Sequence, residues 1–330
     1  MTKTLLFAGG AGYVGSHVLR YFIERDLNCI VLDDLSKGHQ EALPPDIPFF
    51  HGKISDRALL EKIFNSHSIA GILNFAGFIE VGESVTNPGK YFQNNLADPI
   101  TLLEVSRKHP IPWLVFSSSA AVYGNPKRIP IHEQDEKNPT NPYGFTKLGF
   151  EAMLSAYDRA YRLRSISLRY FNAAGAHPSG DVGEAHHPES HLIPLVCKAA
   201  LGLEKSVSIF GNDYPTPDGT CLRDYVHIMD LAEAHYLAVK ALEDGHSSDA
   251  YNLGSEKGYS VNEVIEMVKK ISGRNFTVET KPRRPGDAAG LVASSEKFRR
   301  DFNWSPKHPT LESIVKSAWI WHSRHPHGFA

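Results

Sequence analysis

Strand-like and helix-like segments alternate along the first half of the chain, which predicts an α/β protein built on a doubly wound parallel sheet. Two further observations point the same way. A glycine turn, Gly9-Gly10-Ala11-Gly12-Tyr13-Val14-Gly15, stands directly between the first strand and the first helix, and a pair of acids, Asp33-Asp34, closes the second strand about 18 residues past Gly15.

The first strand is the apolar run Thr4–Ala8, and helical sequence follows over residues 13–25. A strand, a glycine turn and a helix start place backbone N–H groups against a pyrophosphate. The glycine triplet alone is weak, because a chain this rich in glycine produces one by chance about one time in six. Context strengthens it. Residues 29–32 form the second strand, and a carboxylate at Asp33 or Asp34 bonds an adenosine ribose and repels a 2′-phosphate, so NAD is favoured over NADP in a Rossmann-type domain. Alternation continues through 49–51, 56–66, 71–75, 89–108, 112–116, 143–161 and 165–168, with a helix at 228–242 and a strand at 250–253 returning to the sheet. Ligands of such sheets lie at the strands' carboxyl ends. Four stretches fall there: 9–15, Asp33-Asp34, Ala76-Gly77 and Ser117 to Ser119.

With 330 residues, 42% of them hydrophobic, the chain can bury a full core, as one large domain and a smaller lobe. A net charge of -2 leaves no general nucleic-acid footprint. The apolar runs are too short to span a membrane, and Met1-Thr2-Lys3-Thr4 leads into the first strand without the features of a signal peptide. Cys29, Cys197 and Cys221 are an odd set without Cys-x-x-Cys spacing and read as reduced thiols of a cytoplasmic protein.

Chemistry concentrates in Pro142-Tyr143-Gly144-Phe145-Thr146-Lys147 and the serine run before it. Proline starts a helix, and a spacing of four stacks Tyr143 and Lys147 on one face. A phenol titrates near about 10, so base work near neutrality needs positive charge strong enough to offset the upward push of burial. Lys147 is one such charge, and an oxidised nicotinamide ring is another. Ser119 is suited to hydrogen-bond the hydroxyl that Tyr143 deprotonates. The chain carries its own control in Tyr236 and Lys240, which have the same spacing but sit inside an apolar helix without a proline start or a serine-ended strand ahead of it.

These motifs, with Asn74-Phe75-Ala76-Gly77, Ser117-Ser118-Ser119-Ala120-Ala121-Val122-Tyr123-Gly124 and Arg169-Tyr170-Phe171-Asn172-Ala173-Ala174-Gly175-Ala176, resemble the extended short-chain dehydrogenase/reductase family. Within it the chain is similar to the UDP-hexose 4-epimerases, from Leu5 through Gly286-Asp287 to Trp319-Ile320-Trp321-His322-Ser323-Arg324-His325-Pro326. Phe210-Gly211-Asn212-Asp213-Tyr214-Pro215-Thr216 and Arg223-Asp224-Tyr225 are more specific than the fold. Sugar-nucleotide 4,6-dehydratases carry acids where Ala120-Ala121 stand, which argues against dehydration.

The resemblance implies C4 epimerisation of UDP-glucose and UDP-galactose through a transient 4-keto sugar and NADH, with Ser119, Tyr143 and Lys147 catalytic. It implies that Gly9, Gly12, Tyr13, Val14, Gly15, Asp33, Asp34, Leu35, Ser36, Ile54, Phe75, Ala76, Gly77, Asn94, Ser117, Tyr143, Lys147 and Phe171 contact the cofactor. Asn172, His191, Leu192, Phe210, Tyr225, Asp287 and Leu291 are implied in the substrate pocket beside Ser119. Arg223 and Arg284 suit a diphosphate, since guanidinium forks match its oxygens. Tight grip on the nucleotide leaves the sugar free to turn. A homodimer pairing residues 89–108 and 143–161 across a two-fold axis is also implied.

Domain boundaries are expected at 1–174 for the NAD-binding domain, with 226–254 returning to it, and 175–330 for the UDP-sugar lobe. The histidines and glutamates of 183–191 invite a metal, but adjacent histidines and a proline fit no common ligand spacing, so an exposed loop without metal is expected. His322, His325 and His327 read as surface residues. Two positions depart from the family pattern. Lys53 stands where an aspartate usually accepts from the adenine amino group, and an ammonium has no acceptor. Ile79 replaces a lysine that some members carry near the cofactor. The alternatives are another NAD-dependent UDP-sugar 4-epimerase, for an N-acetylhexosamine, uronic acid or pentose, and a non-catalytic NAD-binding module.

Overall fold

The computed structural model describes residues 3–284 and 287–329. Met1, Thr2 and Gly286, named in the sequence reading, lie outside the described residues. The chain forms two compact units, the first from Met1–Gly124, Glu136–Arg169 and Ala232–Tyr251, the second from Asn125–Asp135, Tyr170–Leu231 and Asn252–Ala330.

The first unit is organised on a seven-stranded sheet of β1 (Thr4–Ala8), β2 (Cys29–Asp33), β3 (Phe49–His51), β4 (Ile69–Asn74), β5 (Trp113–Ser117), β6 (Arg164–Tyr170) and β7 (Asp249–Leu253), in the order β7-β6-β5-β4-β1-β2-β3. All five residues of β1 are buried. A strand covered on both faces reads as a continuous apolar run because neither face meets water. Close packing also dictates small residues: a Cβ at Gly71 on β4 would lie 2.2 Å from the Trp113 ring of β5. The chain steps outward from β1 to β3, then returns to pair β4 with the other side of β1, Ala8 facing Asn74. That reversal opens a crevice beyond the ends of β1 and β4.

Helices α1 (Tyr13–Ile23), α2 (Arg57–Ser66), α3 (Val81–Thr86), α4 (Pro88–Phe92), α5 (Asp98–Lys108) and α6 (Pro142–Tyr161) connect these strands. The helix expected over 89–108 is continuous but irregular, with a π turn over Gln93–Ala97 between α4 and α5. Its physical reason is Pro99, in the first turn of α5: proline offers no N–H to the carbonyl four residues back and crowds it. The α6 helix starts as expected. Asn141 caps it by accepting from Gly144 N–H at 2.9 Å, and Pro142 occupies the first helical position. Gly144 permits close approach, since a Cβ there would lie 2.6 Å from the Ala121 carbonyl oxygen.

Among its described residues the second unit holds three small sheets. Asn172–Ala174 pairs in parallel with Tyr225–His227, Thr277–Lys281 pairs with Ser206–Phe210, and Leu222–Arg223 lies between Tyr259–Ser260 and Gly290–Leu291. Helices Leu192–Ala200, Val261–Ser272 and Leu311–Arg324 share one core through Ile193, Val196, Val264, Val268, Ile314 and Val315. His322 belongs to this buried interior at 3% exposure, which corrects the surface reading. It follows Leu311, Ile314, Val315, Ala318 and Trp321 on the inner face of the last helix. No helix among the described residues is long and apolar enough to cross a membrane.

Candidate active site

The crevice at the sheet reversal is a cleft lined by Gly9, Gly12, Asp33, Asp34, Ser36, Lys53, Ile54, Phe75, Ala76, Gly77 and Asn94, among others. Gly9 (φ +78°) turns the chain out of β1, and a Cβ there would lie 2.5 Å from the Ala76 amide nitrogen. Only glycine meets both demands. Gly15 packs beneath the turn, where a Cβ would sit 2.3 Å from the Gly9 carbonyl oxygen. Gly12 is the N-cap of α1 and supplies no side-chain cap, so this helix start suits an anion.

The acids divide their work. Asp33 is buried, its two oxygens accepting from Ala11 N–H and Leu35 N–H, each at 2.9 Å. Burial pushes its carboxyl up and the two amides pull it back. Leu35 is at φ +58°, with its amide turned to Asp33. Asp34 accepts from Ser36 N–H at 3.0 Å at the cleft edge. A bare helix start, glycines where side chains would intrude, and carboxylates at the end of β2 together fit a dinucleotide.

Along the same strand ends, β5 lies beside β4 with Phe116 facing Asn74, and delivers Ser117, Ser118 and Ser119 to α6. Ser119 hydrogen-bonds the Tyr143 hydroxyl. Lys147 Nζ donates to the Ser117 carbonyl at 2.8 Å and stands 5.7 Å from the centre of the Tyr143 ring. Burial dominates and raises Tyr143, the upward push that the sequence predicts, while Ser119 opposes it and the Glu80 carboxylate adds to it. Burial likewise brings Lys147 down to about 8, with Glu151 working the other way. The control pair behaves as chance spacing should. Tyr236 packs on Tyr21 and Phe22, and Lys240 pairs with Glu243 at 2.8 Å with its side chain 41% exposed.

Several residues that sequence reasoning missed hold this arrangement. Asn95, in the π turn, accepts from Phe78 N–H at 2.8 Å and donates to Phe78 O at 2.9 Å and to Thr146 Oγ1 at 3.3 Å. It ties the segment after β4 to the first turn of α6. Its signal was Pro99, which forces the π turn. Glu151 and Arg169 form a buried ion pair beneath Lys147, and the four-residue spacing from Lys147 to Glu151 was its signal.

In the second unit, Asn172 Nδ2 donates to the Asp224 carbonyl at 2.7 Å, in register with Tyr225. Arg223 is ion-paired with Asp287 and donates to the carbonyls of Leu222 and Ala288 at 2.8 and 2.9 Å. Arg284 lies over the Phe210 ring, 3.8 Å from its centre. Leu291 pairs in register with Arg223 and is half-buried. Phe171 directly precedes this unit's Asn172–Ala174 strand and is also half-buried.

The loop ahead of Leu192–Ala200 corrects the exposed reading. Glu184 is 3% exposed, and the ligand atoms of Glu184, His186, Glu189 and His191 lie within 4.8 Å of one another. Burial opposes charge here, yet His191 and His186 hold Glu184 well below the carboxylate range. Burial also opposes the His186 imidazolium, but bonds to Glu184 and Glu189 lift it to about 10. The carboxylates of Glu184 and Glu189 thus face the imidazoles of His186 and His191.

A doubly wound sheet with a Ser-Tyr-Lys group at its strand ends defines a nicotinamide-dependent enzyme of the short-chain dehydrogenase/reductase type. The chain belongs to the NAD dependent epimerase/dehydratase family, whose pattern matches residues 5–254. It is 51% identical over 326 residues to the UDP-glucose 4-epimerase of Halalkalibacterium halodurans, covering 99% of this chain and 97% of that one. The crystal structure of UDP-glucose 4-epimerase from Brucella ovis in complex with NAD matches with a TM-score of 0.94 at 40% identity, over 96% of this chain and 98% of that one. The Bifidobacterium longum enzyme in complex with NAD+ and UDP matches with a TM-score of 0.93 at 36% identity, over 99% and 100%. NAD is the cofactor.

Lys53 lines the cleft beside Gly52 and Ile54. Because its ammonium accepts no hydrogen bond, Lys53→Asp is expected to bind NAD more tightly than the native chain in calorimetric titration of the stripped protein. Equal or weaker binding would exclude an adenine contact at this position.

Proposed function

We propose that this protein interconverts UDP-glucose and UDP-galactose by inverting C4 of the hexose. The observation that carries the reading is the Ser119-Tyr143-Lys147 group, buried at the strand ends that also form the dinucleotide cleft. Tyr143 Oη accepts the proton of the 4′-hydroxyl, and Ser119 holds that hydroxyl in line. Lys147, fixed on the Ser117 carbonyl, presents its ammonium to the cofactor ribose and the phenol. Bound NAD supplies the acceptor and later the donor of the C4 hydride and, while oxidised, positive charge beside the phenol. Tyr143 then returns its proton to the same oxygen after the ketone has turned over.

Uniform grip on the sugar would prevent that rotation, so binding energy has to come from the nucleotide. Arg223, Arg284, Asn172, His191, Leu192, Phe210, Tyr225 and Asp287 are the groups we assign to the UDP portion. Ala120-Ala121, after Ser119, supply no acid for a dehydration.

A homodimer is part of the proposal. Phe92, Ile100 and Phe145 are 41%, 44% and 50% exposed on α4, α5 and α6, an apolar surface suited to a second copy. The reading extends to a cytoplasmic setting, which the three buried, unbridged thiols favour.

Incubation of the pure protein with UDP-galactose is expected to give UDP-glucose. Tyr143→Phe should keep the fold and NAD binding but lower turnover at least about 10²-fold, the scale of a lost general base. Near-native turnover would move the base elsewhere. In sedimentation velocity the native chain should run as a dimer, and Phe92→Glu with Ile100→Glu as a monomer. A native monomer sinks the dimer.

In the family that the chain resembles, position 291 lies against the sugar's C2 substituent and a tyrosine there leaves no room for an N-acetyl group; Leu291 is shorter and can change rotamer, which favours some breadth toward N-acetylated substrates. Overpacking costs roughly 1 to 3 kcal/mol, or about 5- to 150-fold discrimination. Weaker but measurable conversion of UDP-N-acetylglucosamine and UDP-N-acetylgalactosamine is expected, and Leu291→Tyr should reduce it. Unchanged N-acetyl activity in that variant would remove Leu291 as the gate.

A further inference from the structure

Three consecutive residues at the end of β5 each take one rung of α6. Ser119 meets Tyr143, the Ser117 carbonyl accepts from Lys147, and Ser118 Oγ donates to Glu151 Oε1 at 2.6 Å. Tyr143, Lys147 and Glu151 follow at four-residue intervals, one above another on one helix face. The first two rungs are used by the chemistry. The third is not, yet it is the most heavily held. Arg169 on β6 donates from Nε to Glu151 Oε1 at 2.9 Å and from Nη2 to Oε2 at 2.5 Å, and its Nη1 donates to the Tyr123 hydroxyl at 2.8 Å. The Arg169 and Glu151 side chains are 5% and 9% exposed. A buried ion pair is costly to desolvate, and apolar side chains often fill such a place without loss of stability. Stability alone therefore does not account for it.

We propose that Glu151 is a positioning residue for the C4 chemistry: clamped by Arg169 and Ser118, it fixes the third rung of α6 on β5 and keeps a carboxylate one helical turn from the Lys147 ammonium. The proposal rests on the assignment of Tyr143 and Lys147 as the reacting pair. On α6 the titratable groups facing Lys147 are Tyr143 and Glu151. From β5 it meets the Ser117 carbonyl and the Phe116 ring, whose centre is 4.9 Å away, and neither titrates. Arg169 approaches from β6 and Tyr123 from the turn after β5, both bonded to each other. Among α3, α4 and the residue before them, Glu80 acts on Tyr143, while Lys90 and Tyr91 both donate to Glu83. Glu151 is the group that supports the ammonium against burial.

The sign follows. Neutralising Glu151 removes what favours the charged form, so Lys147 gives up its proton at lower pH, and turnover that needs the ammonium falls earlier as pH rises.

Glu151→Gln keeps the shape and an acceptor for Ser118. We expect its kcat at pH 8 to fall at least about tenfold, the alkaline limb of the kcat profile to move to lower pH, and KM for UDP-galactose to stay within about twofold. If the lone Arg169 guanidinium unfolds that variant, Glu151→Gln with Arg169→Met removes both charges. It should regain a near-native melting temperature while its alkaline limb stays displaced. A folded variant of either kind with the native limb and native kcat overturns the proposal and leaves the pair a structural one. Tyr143→Phe, measured alongside, separates the two readings: if it turns over like the native chain, the assignment of the reacting pair fails whatever Glu151 does.

Discussion

In the proposed chemistry Lys147 has to remain charged while buried, and much of the first unit can be read around that requirement. Its ammonium donates to the Ser117 carbonyl, which is within reach because β5 ends there with its backbone turned toward α6. The close approach of α6 in turn requires a glycine at 144, since a side-chain carbon would collide with the Ala121 carbonyl. Removing water from an ammonium favours its neutral form. The carbonyl, the Phe116 ring face and the nearby carboxylate act together against that tendency.

The cofactor cleft is governed by backbone rather than by side chains. Gly9, Gly12 and Gly15 matter through what they leave out, and Asp33 spends both oxygens on the amides of Ala11 and Leu35. A carboxylate already bonded on both oxygens still carries its negative charge and its remaining lone pairs into the cleft. One residue thus shapes the loop and sets its electrostatic preference. In the second unit Arg223 is similarly occupied by Asp287 and two carbonyls, so a diphosphate bound there as proposed would exchange one set of oxygens for another.

The sheet was legible because buried parallel strands leave a continuous apolar trace, and the site was legible because its residues fall at strand ends and at one helix start. Tyr143 and Lys147 could be told from Tyr236 and Lys240 by context alone, and the exposure of Lys240 agrees with that distinction. What escaped depends on contacts far apart in sequence. Glu184 reads as a loop glutamate until His186 and His191 fold over it, and His322 reads as a tail histidine until its helix turns it inward. The upward push of burial on Tyr143 was legible, but not the Glu80 carboxylate that adds to it from a distant part of the chain.

The π turn over Gln93–Ala97 has a consequence for the phase of its helix. In a regular α-helix Phe92 and Ile100 would point about 80° apart; one extra residue accommodated in the turn brings them to within about 20°. The same extra residue holds Asn95 against the Phe78 backbone. Regularising the winding with every residue kept would rotate one half by about 100° against the other. Either the outer apolar stripe or the inner amide would then face the wrong way, so a change that looks neutral by helix propensity would uncouple the surface of the unit from its cofactor cleft.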